Sequence, residues 1–120
     1  MLDKGTTFIR AGHVWFNISE PTATNRKVLC VNLTCLDDEC PDDECTISPV
    51  EYSWVKEGYL TTVAFSRAKV WDADNILACL KNGTLSQPGH GNIPANTISK
   101  VVKIALSSKE LSDNLKDLLR

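Results

Sequence analysis

Two apolar stretches constrain this chain more than any other feature: His13-Val14-Trp15-Phe16-Asn17-Ile18 and Lys27-Val28-Leu29-Cys30-Val31-Asn32-Leu33-Thr34. Both are rich in the β-branched and aromatic residues that suit a pleated surface. Nine residues separate Ile18 from Val28, and Ser19, Pro21 and Asn25 among them mark a polar turn. The simplest expectation is an antiparallel pair. Alternation along the second stretch puts Leu29, Val31 and Leu33 on one face and Val28, Cys30, Asn32 and Thr34 on the other. The first face is core. The other runs from apolar to polar, as a strand does when it leaves the core and enters a cleft. His13, Asn32 and Thr34 thus form a polar seam and the candidate working surface.

The rest of the chain reads as short strands followed by helices. Thr7 to Arg10 is a leading strand, broken by Ala11-Gly12. Cys45 to Ser48 is a short strand ended by Pro49, a residue confined to strand ends and edges. Tyr52 to Val55 extends that region, Tyr59 to Phe65 is a third main strand, and Ala68 to Trp71 is a last one after a bend at Ser66-Arg67. Asp74 is the expected cap of a helix that runs to about Asn82 and stops at Gly83. A second helix is expected from Pro94, with Ile98, Val101, Val102 and Ala105 at helical spacing. Ser107-x-x-Glu110 resembles a capping box for a third, whose stripe is Leu111, Leu115, Leu118 and Leu119. Short strands with proline and glycine turns predict a small β-barrel, about residues 8–72, covered by two or three C-terminal helices, about residues 74–119, in a single domain of 120 residues.

A chain of this length buries a core without disulfides or metal. No apolar run reaches the roughly 18 residues of a membrane span, and the first residues lack an apolar signal core. A cytoplasmic protein is the expectation, with its five cysteines as reduced thiols. The net charge of −2 argues against broad nucleic-acid binding. Six carboxylates, however, sit in the loop Asp37 to Glu44, and setting them aside turns −2 into +4.

Several side chains carry possible chemistry. A histidine side chain can exchange a proton near neutral pH, so His13 suits proton transfer, or is a strand-end histidine bonded to backbone. The Thr34 hydroxyl suits a phosphate oxygen or a ribose, or starts a turn. Arg26, at the mouth of the same strand, and Arg67, at the bend, have the guanidinium that pairs with phosphate, or are solvated surface arginines. Cys30, Cys35, Cys40 and Cys45 recur every five residues. Zinc ligands come as separated close pairs, so buried or incidental thiols are the expectation and no metal is called for. His90, between two glycines, reads as an exposed loop residue.

His13-Val14-Trp15, then Val28 to Thr34 with its Asn32-Leu33-Thr34 ending, then Gly58-Tyr59-Leu60 to Arg67-Ala68 and the helices, resemble a divergent branch of the MazF/PemK-like toxin superfamily. The resemblance spans roughly residues 12 to 107. It implies an SH3-like barrel, a homodimer, and a metal-independent, cofactor-free endoribonuclease that cleaves single-stranded RNA and is restrained by an antitoxin protein. It implies catalytic roles for His13, Thr34, Arg26 and Arg67, and substrate contacts for Asn32 and Tyr52. The family's Arg-Pro pair is absent, with Arg26-Lys27 as an approximate stand-in, and Tyr52 stands where the branch often has a histidine. The alternative is a noncatalytic SH3-like binding module for a protein or nucleic-acid partner.

Overall fold

The computed structural model describes residues 2–36, 42–56, 58 and 60–120. Its frame is one long strand, β3 (Lys27–Cys35), that two sets of neighbours share. Before it, β1 (Thr7–Arg10) and β2 (His13–Asn17) form a hairpin. Both residues of the tight turn have positive φ, Ala11 at 51° and Gly12 at 79°, which matches the right-handed twist of the strands. On one edge of β3, Cys30 to Asn32 pair with β2, and Ile18 N–H extends the ladder to the Leu29 carbonyl at 2.9 Å.

The other edge takes two partners in turn. Leu33 to Cys35 pair with β5 (Thr61–Val63), and Lys27 to Cys30 with β6 (Lys69–Asp72). Between them a 3₁₀ turn, Phe65–Arg67, bulges outward while Ala64 N–H still donates to the Asn32 carbonyl at 2.9 Å. Strand β4 (Thr46–Ile47) adds to the far side of β5. The sheet is antiparallel and runs β1-β2-β3-β5-β4, with β6 beside β3. Among the described residues no pairing returns β4 to β1, so this sheet is open.

Helices follow the strands, as the pattern predicted. Helix α1 (Ala73–Asn82) is capped by Asp72 and not by Asp74: the Asp72 carboxylate accepts from the N–H groups of Asp74 and Asn75. Gly83, at φ 83°, ends it in the left-handed conformation that glycine adopts without a Cβ clash. Helix α2 (Ala95–Ser107) starts just after Pro94. Helix α3 (Asp113–Lys116) is short and runs into a 3₁₀ turn, Asp117–Leu119. Its cap is Ser112, whose hydroxyl accepts from Leu115 N–H, while Ser107 donates back to Ile104. The expected capping box at Ser107 is therefore not formed. Residues 52–55 make a turn where a strand extension was expected, and β5 is shorter than the apolar run suggested.

Two cores flank β3. Leu29, Val31 and Leu33 pack with Val14, Phe16, Tyr52, Phe65 and the α2 residues Ile98, Val101 and Ala105. Val28 and Cys30 face the opposite way, against Phe8, Trp15 and the α1 residues Ala73 and Ile76. A strand covered on both faces reads as a near-continuous apolar run, which is why β3 stood out in the sequence. No helix among the described residues is long and apolar enough to cross a membrane.

Candidate functional site at the end of the long strand

His13, Asn32 and Thr34, expected to form a polar seam, do share one face of the sheet. Trp15 and Asn32 are paired, so their side chains share a face, and Thr34 lies two residues further along it, half-buried and paired with Thr62. His13, half-buried, lies two residues back along β2 on the same side as Trp15. Asn32 is 1% exposed. Its Nδ2 makes one long bond, to the Leu33 carbonyl at 3.4 Å, and its Oδ1 has no partner among the described residues. Beside the seam, the Thr62 hydroxyl lies against the carbonyls of Asp42 and Cys45, and the Asp42 carboxylate accepts from Ser66 N–H at 2.9 Å and Ser66 Oγ at 2.7 Å. Arg67 is exposed on the adjoining 3₁₀ turn.

Two expected members are elsewhere. Arg26 precedes β3, while Thr34 is near the far end, roughly 25 Å along an extended strand. Its guanidinium grips Asp74 with two bonds, Nε to Oδ2 at 3.0 Å and a terminal nitrogen to Oδ1 at 2.8 Å. The hydrogen bond to Asp74 raises the pKa of Arg26, and the same bond lowers that of Asp74. Arg26 fastens the start of β3 to α1. Tyr52 is 3% exposed in the first core, where burial pushes its phenol up, and its hydroxyl donates to the Gly91 carbonyl at 2.9 Å. It is a tie between loops, with no surface left for a substrate.

A cleft of about 390 Å³ does open at the C-terminal end of β3, but on the other face. Cys35 lines it and continues the side of Leu29, Val31 and Leu33, one residue out of step with the seam. Thr61, paired with Cys35, Trp54, Lys56 and His90 complete the lining. Three distant segments meet here because hydrogen bonds fix the loops. Gly91 O accepts from both Tyr52 and Thr7, Asn92 Oδ1 accepts from Thr7 N–H at 3.2 Å, and Ile93 N–H donates to Gly5 O at 2.9 Å. Glu51, next to Tyr52 in the chain, is fixed in turn: Thr97 donates to its carbonyl at 3.0 Å, and Lys100 joins its carboxylate at 2.6 Å and Thr46 O at 2.7 Å. His90 Nδ1 is 3.3 Å from Ser53 Oγ, and its ring meets Tyr52 edge-on at 6.4 Å.

The cleft therefore brings together an imidazole for proton transfer, an ammonium for negative charge and a half-buried indole on which a flat ring can stack. From the sequence His90 reads as a loop residue, Trp54 as part of a strand extension and Lys56 as part of a turn. The signal was present in Tyr52-Ser53-Trp54-Val55-Lys56, two alternate aromatics followed by a lysine, and in Gly89-His90-Gly91.

The described cysteines of the ladder do not converge. Cys30 and Cys45 belong to different cores, and burial pushes their thiols up to about 12 and about 11. Cys35 is exposed, and Cys40 lies outside the described residues. Among the described residues no three His, Cys, Asp or Glu side chains are grouped to hold a metal ion. Compared with known families, curated proteins and solved structures, the chain matches no family model, no curated protein and no solved structure.

Proposed function

We propose that the chain is a MazF/PemK-like toxin, an endoribonuclease that works on single-stranded RNA without metal and is restrained by an antitoxin protein covering the cleft at the end of β3. The observation that carries this reading is the meeting of His90, Lys56 and Trp54 in that one cleft. In this reading the strands are the wall of an SH3-like barrel, the protein works in the cytoplasm as a homodimer, and the helices brace the barrel. Trp54 stacks a base. His90 takes the proton from a ribose 2′-hydroxyl as that oxygen attacks the adjacent phosphorus, and the P–O5′ bond breaks, the leaving 5′-oxygen taking a proton from solvent water. Lys56 offsets the extra charge on the phosphoryl oxygens. The products are a 2′,3′-cyclic phosphate and a 5′-hydroxyl end. His13, on β2, and Thr34, on β3, to which the resemblance gives catalytic roles, lie on the opposite face of the sheet and are compared in the same assay.

The test is incubation of the pure protein with long single-stranded RNA in excess chelator. Cleavage leaving cyclic phosphate ends is the expected result. Intact RNA that nevertheless comigrates with the protein supports the second reading, a noncatalytic binding module. That reading draws on Arg26, the stand-in for the family's arginine, being held by Asp74 at the other end of the strand.

A further inference from the structure

A second cleft, about 290 Å³, lies on the other face of the sheet, between the tip of the β1–β2 hairpin and α1. Arg10 and Trp71 form one wall, and Asn75, Cys79, Thr84 and Leu85 the other. The wall is rigid for a visible reason. The Trp71 indole is wedged edge-on against Trp15, at 4.8 Å and 61°, and against Phe8, at 5.7 Å and 60°. The Arg10 guanidinium lies over this ring, its central carbon 4.7 Å from the centroid. Trp15 Nε1 donates to the Arg10 carbonyl at 3.2 Å, so one aromatic cluster holds both the backbone and the side chain of Arg10.

The charges are also arranged. Arg26 and Arg120 are ion-paired, whereas the Arg10 guanidinium makes no hydrogen bond or ion pair among the described residues. The carboxylate in the cleft wall, Asp72, is committed: it accepts from the N–H groups of Asp74 and Asn75 and faces Lys27 at 3.9 Å. An oriented guanidinium fork with unused donors is the preferred partner of a phosphate. Opposite it, Cys79 and Leu85 offer apolar surface, and the side chains of Asn75 and Thr84 make no hydrogen bond among the described residues. Asparagine pairs with the edge of adenine through two hydrogen bonds.

We propose that this cleft binds an adenine nucleoside monophosphate, with the phosphate on the Arg10 fork, the base against Cys79 and Leu85, and Asn75 and Thr84 reading its edge. The site is separate from the cleft at the end of β3 and does not depend on ribonuclease activity. Titration calorimetry of the full chain with adenosine 5′-monophosphate, adenosine and inorganic phosphate tests it. The monophosphate binds, and adenosine and phosphate each bind at least about tenfold more weakly, since each keeps only part of the contacts. Arg10→Gln weakens the monophosphate about tenfold or more, Asn75→Ala weakens it several-fold, and His90→Ala leaves it unchanged. No binding at millimolar nucleotide, parent-like binding by Arg10→Gln, or phosphate binding as tightly as the nucleotide would each overturn the assignment. Melting curves show whether Arg10→Gln is folded. If it is not, Asn75→Ala, on an exposed helix position, decides, and parent-like affinity in that variant counts against the site.

Discussion

Asn32, whose Oδ1 has no partner among the described residues, is a costly residue for the middle of a two-sided core strand. A buried acceptor without a partner costs about 1–3 kcal/mol, and an apolar replacement of similar shape recovers part of that. Asn32→Val is therefore expected to raise stability by about 1 kcal/mol in urea unfolding. A loss of that size would mean that Oδ1 is bonded in the native protein. The cysteines give a second expectation at this scale. Only the thiolate reacts, and burial pushes Cys30 up to about 12 and Cys45 up to about 11. Near pH 8 a maleimide should label Cys35 in the folded protein and reach Cys30 and Cys45 only in denaturant. Peptide mapping reads the order, and early labelling of Cys30 would contradict its place in the second core.

At the level of elements, loop anchors hold the cleft. Gly5 sits at φ 82°, and a Cβ there would lie 2.8 Å from the Ile93 carbonyl. Gly5→Ala combines backbone strain with that clash and should cost about 2 kcal/mol in denaturant unfolding. An unchanged midpoint would mean that the Gly5–Ile93 contact is looser than it looks. The Glu51–Lys100 pair ties the loop that precedes Tyr52 to α2. Burial raises the Glu51 pKa, but the Lys100 hydrogen bond and the Ser48 bonds outweigh it, and the net shift is downward. A carboxyl held low stabilises the fold fully above its ordinary pKa and loses that contribution as pH falls through the depressed one. Partial exposure of both groups screens the pair, so the term is about 0.5 kcal/mol. Glu51→Gln should narrow the stability difference between neutral and acid pH by that amount, and an equal pH profile in both proteins would exclude it.

The elements also show what the sequence could and could not tell. Strand β3 was legible because both of its faces are buried, and α2 because Ile98, Val101 and Ala105 repeat on one face. Caps were less so. Two aspartates stand two residues apart at the start of α1, and only the backbone shows that Asp72 is the one outside the helix. Likewise Ser112, not Ser107, meets the N–H groups of α3. The run from Tyr59 to Phe65 looked like one strand, but among the described residues only Thr61–Val63 pair as β5, whereas the bend expected at Ser66-Arg67 is present as the 3₁₀ turn Phe65–Arg67.

For the whole molecule the lesson concerns distance along the chain. Cys35, Trp54 and His90 share a cleft only because long-range bonds such as Tyr52 to Gly91 bring their loops together. Periodicity reports which face a residue takes and not which loop will meet it. The polar seam was visible for the first reason, and the cleft was missed for the second. Whether the cleft or the seam does the chemistry is decided by comparing RNA cleavage in chelator by the parent, His90→Ala, Lys56→Ala and the His13→Ala/Thr34→Ala double variant. The expected result is a loss of about 10²-fold or more for His90→Ala, a clear loss for Lys56→Ala, and a smaller effect in the double variant. Parent-like cleavage by His90→Ala, with activity lost in the double variant, would contradict the central claim and move the site to the seam.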